Sequence, residues 1–370
     1  MFKEDTMRSI KYVLILGVIC IVSLGFYVGQ VLSFDKVKFI VETKKGDPNE
    51  DVVQNMQLRL SEWGQNPNEY NISMNGDVKQ YNKSILSYLF NDESSWKDAP
   101  RSFQQFIWKN DTHVFSQDSV TYGLNKLNNN ELELQYWNAL NNKLSSMTIK
   151  LPETQMNEKI RFSPFQRTED MLLIDSFTLN KGIEREHIYQ IDLTKKSMTK
   201  IKLPDALGKD DAIRSFYDGK MIVDQVKEVE DSEDFLSETV VKDGKQTKIL
   251  KEFEEVYSSY AINGGKYFLG LDESSAQVSD KKRFEWQIYD FESHQSSSHS
   301  IQLDSIATDE AFSNRSVTVD RDYIYFAYRT KKDEVKSLVI NPLTSEIVYE
   351  ADIHKKGSKN ELLLNSVITN

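Results

Sequence analysis

One cysteine in 370 residues, Cys20, excludes any disulfide within the chain and any cysteine-based zinc site. Histidine is almost as scarce. His113, His187, His294, His299 and His354 are scattered, and only His294 and His299 stand close together. They flank Gln295-Ser296-Ser297-Ser298, which reads as the tip of a polar hairpin. A nucleophilic triad needs a histidine beside its nucleophile, and none of the five has such a local setting. The chain also lacks a P-loop, a dinucleotide glycine fingerprint, a Gly-x-Ser-x-Gly elbow and a His-Glu-x-x-His helix. No residue is singled out as catalytic and no cofactor is expected. Positive charge is in deficit, 46 Lys and Arg against 57 Asp and Glu, a formal charge of −11. Such a surface repels phosphate backbones, which argues against nucleic acid as a partner.

What is present begins with one long apolar run. Residues 12–34, YVLILGVICIVSLGFYVGQVLSF, carry no charge. About 20 apolar residues cross a ~30 Å hydrocarbon core as a helix, so the run is expected to be an uncleaved single-pass anchor. A cleaved signal peptide is the alternative, because Lys3, Arg8 and Lys11 form a basic start and Ser23-Leu24-Gly25 offers small residues. Cys20 follows Val18-Ile19, where a lipid-modified cysteine would follow a small residue. Lysines stand on both sides of the run, at 36, 38, 44 and 45 after it, so charge does not fix the orientation. A short tail before a large domain is the N-inside arrangement. The expected division is a cytoplasmic tail at 1–11, an anchor at 12–34 and an extracytoplasmic domain at 35–370. Gly25 and Gly29 have the small-xxx-small spacing that lets two membrane helices approach.

The remainder repeats itself. Ile149-Lys150-Leu151-Pro152 returns as Ile201-Lys202-Leu203-Pro204, 52 positions later. Five segments share one grammar: an apolar strand ending in Asn or Asp, a polar turn, and a second apolar strand. The turn residues are Asn138, Asp192, Asp243, Asp290 and Asn341, spaced 54, 51, 47 and 51 apart. Asn and Asp suit that place because their side chains bond nearby backbone amides and tolerate left-handed conformations. The preceding half of the unit recurs as YDGKMIVDQV, INGGKYFLGL and VDRDYIYFAY, a turn followed by an apolar strand.

Four strands at a period near fifty residues are the signature of a β-propeller. A weaker unit, residues 75–96, places Asn91 47 residues before Asn138. Two upstream segments, DKVKFIVETKKGD and VVQNMQLRL, are expected to close the ring together with the tail NELLLNSVI. The fold expected is all-β, a six- or seven-bladed propeller behind one transmembrane helix. Tandem β-sandwich domains are the alternative. DVVQNMQLRLSEWG also fits one amphipathic helix. The repeat resembles kelch-like or quinoprotein-like arrays in general, without the double-glycine, Trp-Asp or Tyr-Trp-Thr-Asp signatures. With 35 Lys against 11 Arg, the whole resembles membrane-anchored extracytoplasmic proteins of low-GC Gram-positive bacteria.

Two groups are candidate sites. The run Glu228-Val229-Glu230-Asp231-Ser232-Glu233-Asp234 holds five carboxylates. It could supply oxygen ligands to a cation, although it lacks the spacing and glycine of a calcium loop and equally suits a solvated loop. Asp218, Asn263, Asp320 and Asp322 could ring one mouth of the propeller and bind a cationic ligand, although turns demand the same residues. Tyr136, Trp137, Trp286, Tyr289, Tyr323, Tyr325 and Tyr328 are either core or a platform for a sugar or peptide. The functional expectation is a binding, sensing or accessory protein at the cell membrane, with an integral membrane protein as partner. A carbohydrate- or peptide-active enzyme is the alternative.

Overall fold

The computed structural model describes residues 17–19, 22–23, 38–62, 69–81, 99–108, 112–117, 120–128, 130–138, 142–151, 160–168, 170–178, 184–202, 207, 211–228, 235–254, 256, 258–271, 283–303, 315–320, 322–356 and 361–369. Among the described residues, twenty-five strands form six antiparallel sheets. Sheet 1 joins β25 (Leu362–Thr369), β2 (Met56–Glu62), β3 (Glu69–Ser73) and β4 (Val78–Tyr81). Sheet 2 is β5 (His113–Gln117), β6 (Val120–Asn128), β7 (Glu131–Asn138) and β8 (Lys143–Lys150). Sheet 3 is β9 (Ile160–Thr168), β10 (Met171–Thr178), β11 (Glu184–Asp192) and β12 (Ser197–Ile201). Sheet 4 is β13 (Ala212–Tyr217), β14 (Lys220–Glu228), β15 (Phe235–Asp243) and β16 (Gln246–Ile249). Sheet 5 is β17 (Ser258–Ile262), β18 (Tyr267–Leu271), β19 (Arg283–Asp290) and β20 (Gln295–Gln302). Sheet 6 is β21 (Arg315–Asp320), β22 (Tyr323–Lys331), β23 (Glu334–Asn341) and β24 (Glu346–Lys356), with β1 (Lys38–Lys45) added outside β24.

Apart from the terminal strands β25 and β1, each sheet is a meander and the sheets follow one another in chain order. That is the order of propeller blades, and it lacks the crossovers of a Greek-key sandwich. Five apolar clusters lie between successive sheets. Leu134, Ile149, Leu172 and Ile191 join sheets 2 and 3. Ile188, Met221 and Val240 join sheets 3 and 4. Ile222, Val241, Phe268 and Phe291 join sheets 4 and 5. Trp286, Ile288, Phe326 and Ile340 join sheets 5 and 6, and Leu58, Ile72, Val339 and Ile353 join sheets 6 and 1. Of the sequence-selected aromatics, Trp137, Trp286, Tyr289, Tyr325 and Tyr328 are buried in this packing and form no exposed platform.

The turn grammar has a specific geometry. Asp192 accepts hydrogen bonds from the amides of Thr194 and Lys195, Asp290 from those of Glu292 and Ser293, and Asn341 from those of Leu343 and Thr344. Four residues after each acid or amide the backbone turns left-handed, at Lys196 (φ 54°), His294 (φ 58°) and Ser345 (φ 60°). Asn142 (φ 51°) repeats the position in sheet 2. Asp243 opens a tighter turn in which Gly244 takes φ 56°. In sheet 1 the equivalent turn contains Asn75, so Asn75 takes the place expected of Asn91, which lies outside the described residues.

The two ends close the fold differently from expectation. The tail strand β25 does pair with β2, making the last strand the first of sheet 1. The segment at 38–45 does not join them and instead lengthens sheet 6 along β24. Each end thereby covers an edge that would otherwise offer unpaired backbone groups. The amphipathic-helix alternative for residues 51–64 gives way to a turn and β2.

One helix was not anticipated. α1 (Arg101–Ile107) follows Pro100 and packs Phe103, Phe106 and Ile107 against Trp137 of sheet 2. A Cβ at Gly123 in β6 would lie 2.8 Å from the Phe106 ring, and one at Gly270 in β18 would lie 2.7 Å from Phe253. Both glycines accept a phenylalanine from a short helix, the second being the single turn Lys251–Phe253. No helix among the described residues is long and apolar enough to cross a membrane. Most of the apolar run at 12–34 lies outside them; residues 17–19 and 22–23 are helical, and Val18, Ile19 and Val22 are exposed.

Candidate functional site

The turns joining first to second strands and third to fourth strands lie at one end of the sheets. Hydrogen bonds link them across sheet boundaries. Lys220 Nζ of sheet 4 donates to Phe291 O of sheet 5, and Trp286 Nε1 of sheet 5 donates to Pro342 O of sheet 6. This end is called the turn face.

The sequence-selected turn residues fall here. Asp218 and Gly219 both have positive φ, 47° and 80°, the geometry of a tight hairpin turn. Asn263 (φ 50°) and Asp322 (φ 66°) are also left-handed. Asp322 Oδ1 accepts the Asn263 backbone N–H at 2.6 Å, so these two are brought together across sheets 5 and 6. Asp320 is 2% exposed and belongs to the interior. Asp170, which sequence reasoning passed over, holds the exposed position in sheet 3 that Asp322 holds in sheet 6. In the acidic run, Glu228 ends β14 opposite Phe235, while Glu230, Asp231, Glu233 and Asp234 lie outside the described residues. Among the described residues no group of three or more His, Cys, Asp or Glu could hold a metal ion.

A denser cluster occupies the turn face where sheets 4 and 5 meet. Its floor is aromatic: Tyr289 and Phe291 are buried edge-to-face at 5.4 Å, with the Tyr217 ring 5.9 Å from Phe291. The rim is charged. Tyr217 OH donates to Glu292 Oε1 at 3.1 Å, and Lys266 Nζ contacts Glu292 Oε2 at 2.5 Å. Lys220 Nζ lies 2.8 Å from Phe291 O and 3.1 Å from His294 Nε2. Lys248 Nζ donates to His294 O at 3.0 Å and sits 5.6 Å over the Tyr289 ring. Since Nε2 of His294 accepts from an ammonium, Nδ1 carries the proton and donates to Tyr289 OH at 3.3 Å.

The contacts favour ionised carboxylates and protonated lysine and tyrosine. Hydrogen bonds from Lys266 and then Tyr217 hold the Glu292 carboxyl below the usual carboxylate range. The same contacts with Glu292 push the Lys266 ammonium and the Tyr217 phenol upward. Burial pushes the Tyr289 phenol up. Burial alone would raise Asp290, but amide donors from Glu292 and Ser293 and the Ser293 hydroxyl outweigh it and hold the carboxyl low. Proton transfer is efficient when a group titrates near the working pH, and every one of these shifts leads away from neutrality. What the cluster does offer is donors. An ammonium has three hydrogens, and these contacts use two on Lys220, one on Lys248 and one on Lys266.

No signal in the sequence joins Tyr217 and Lys220 to Glu292 and His294, which are separated by 75 and 74 residues. Only the fifty-residue period, which places equivalent turns side by side, could have suggested it.

No family model matches the chain, and no curated protein matches it. Among solved structures it is similar to an apocarotenoid oxygenase of Synechocystis, at 9% identity over 91% of this chain and 96% of that one, with a TM-score of 0.40. It is similar to an uncharacterized protein of Listeria monocytogenes EGD-e, at 11% identity over 83% and 82%, with a TM-score of 0.34. It is similar also to an oligogalacturonate lyase of Vibrio parahaemolyticus, at 8% identity over 85% of both chains, with a TM-score of 0.32. Likeness at these values assigns no activity, and the functional reading rests on the chain's own residues.

Proposed function

We propose that this chain is a membrane-anchored, extracytoplasmic six-bladed β-propeller of the kind expected in low-GC Gram-positive bacteria, acting as a binding, sensing or accessory protein. The ligand-facing surface is the cluster between sheets 4 and 5, and its partner is an integral membrane protein offering hydrogen-bond acceptors. The observation that carries this reading is the cluster that joins Tyr217 of sheet 4 to Glu292 and Lys266 of sheet 5 above the buried Tyr289–Phe291 pair. Lys266, Tyr217 and Glu292 are fixed as cation, donor and acceptor, which suits recognition better than proton shuttling. The spare hydrogens of Lys220, Lys248 and Lys266 select an acceptor-bearing partner.

Lysine-directed cross-linking on intact cells, with a C-terminally tagged chain and mass spectrometry of the adducts, tests it. One dominant membrane protein linked through Lys220, Lys248 or Lys266 is the expected result. Turnover of a glycan or peptide substrate by the purified chain, without such an adduct, would favour the enzyme alternative.

A further inference from the structure

The charged face of β1, β24 and β23 is ordered as a ladder. Lys44 lies 2.7 Å from Glu42 and 3.7 Å from Asp352. Lys336 lies 2.5 Å from Glu350 and 3.6 Å from Asp352. His354 stands between Glu334, 3.3 Å from Nδ1, and Glu42, 3.7 Å from Nε2. Lys331 pairs with Glu334 at 2.8 Å. Two rungs of the β1–β24 register carry like charges: Glu42 stands opposite Asp352, where Lys44 bridges them, and at the end Lys38 stands directly across from Lys356, both exposed. Like charges directly opposite one another destabilise a sheet, and two more exposed lysines, Lys331 and Lys332, turn at the same end.

That end is also where the chain would leave the membrane. The apolar run finishes at Phe34, and β1 begins at Lys38. Four residue steps reach at most about 14 Å, so an anchor at 12–34 holds the Lys38 end of sheet 6 against the headgroups. β1 then runs about 24 Å away to Lys45, beside the turn face.

We propose that Lys38 and Lys356, with Lys332, dock on anionic lipid headgroups and thereby orient the domain with its turn face away from the bilayer, where it meets the part of its membrane partner that projects beyond the headgroups. The inference rests on the anchor reading. An anionic surface relieves the Lys38–Lys356 repulsion that the rest of the ladder leaves unbalanced. Each lysine near such a surface favours the docked orientation roughly fivefold. The preference declines as added salt screens the lysines.

The test uses the full chain, with Cys20→Ser and a fluorophore on either Asp333→Cys, beside the lysines, or Leu343→Cys, on the turn face. Each is reconstituted in phosphatidylcholine vesicles with or without phosphatidylglycerol and with nitroxide-headgroup lipid as quencher. Flotation is measured first. The expected result is that the chain floats with both vesicles, and that quenching at 333 exceeds that at 343 severalfold only when phosphatidylglycerol is present. Lys38→Gln with Lys356→Gln then lowers it toward the neutral-lipid value. A difference that is the same in neutral vesicles, or no difference, overturns the lysine contact while leaving the anchor standing. A chain that does not float overturns both. The comparison of two lipids needs no lysine variant, so misfolding of a variant does not confound it.

Discussion

Glu62 of β2 and Lys355 of β24 form a buried ion pair at 3.1 Å, joining sheet 1 to sheet 6 across 293 residues of chain. Tyr70 OH donates to the other carboxylate oxygen at 3.0 Å. Lys355→Met removes the ammonium from a carboxylate that is itself buried, at an expected cost of about 3–5 kcal/mol. Adding Glu62→Gln keeps an acceptor for Tyr70 and should recover most of the loss. Urea unfolding of both variants checks this, and additive losses would contradict it.

Gly270→Ala sets a methyl group 2.7 Å from the buried Phe253 ring. Overpacking of this kind costs about 1–3 kcal/mol. A lowered thermal midpoint that Phe253→Leu partly restores is the expected result; an unchanged midpoint would show that the ring moves aside.

His299 stacks on Trp286 at 5.8 Å and contacts the hydroxyls of Ser297 and Ser345 at 2.9 and 3.0 Å. Burial pushes its imidazole below the ordinary value of 6.5. The unfolded chain therefore takes up this proton first as the pH falls. Stability is unaffected above the ordinary value and declines from there down to the depressed one. His299→Gln should flatten the dependence between neutral and mildly acidic pH, measured by denaturant midpoints. Parallel curves for both proteins would count against the assignment.

Glu292 is held low first by Lys266. Lys266→Met should let the carboxyl titrate closer to its ordinary value of 4.5, as read from carbon-13 shifts of the labelled side chain. An unchanged titration would mean that Lys266 does not govern the cluster.

Much of the fold was legible because short-range chemistry repeats at a fixed interval. Asp192, Asp290 and Asn341 mark equivalent turns since each must cap the same amides. The partner of β1 was not legible, because backbone pairing at an edge leaves no pattern in side chains, and either terminal sheet could have accepted it. α1 escaped notice because its seven residues carry only Phe103, Phe106 and Ile107 as a helical stripe. Turn residues such as Asp218 were legible as turns. The surface cluster was not, since Tyr217, Lys220, Glu292 and His294 meet only when sheets 4 and 5 stand side by side.

The proposed function requires a domain held outside the membrane by residues 12–34. With Cys20→Ser and Leu343→Cys, an impermeant thiol reagent applied to intact cells reads this directly, followed by alkaline carbonate extraction. Leu343 is exposed at the turn face. Labelling without lysis, on a chain that stays with the membrane pellet, is the expected result. Labelling only after lysis, or release of the chain by carbonate, would contradict it.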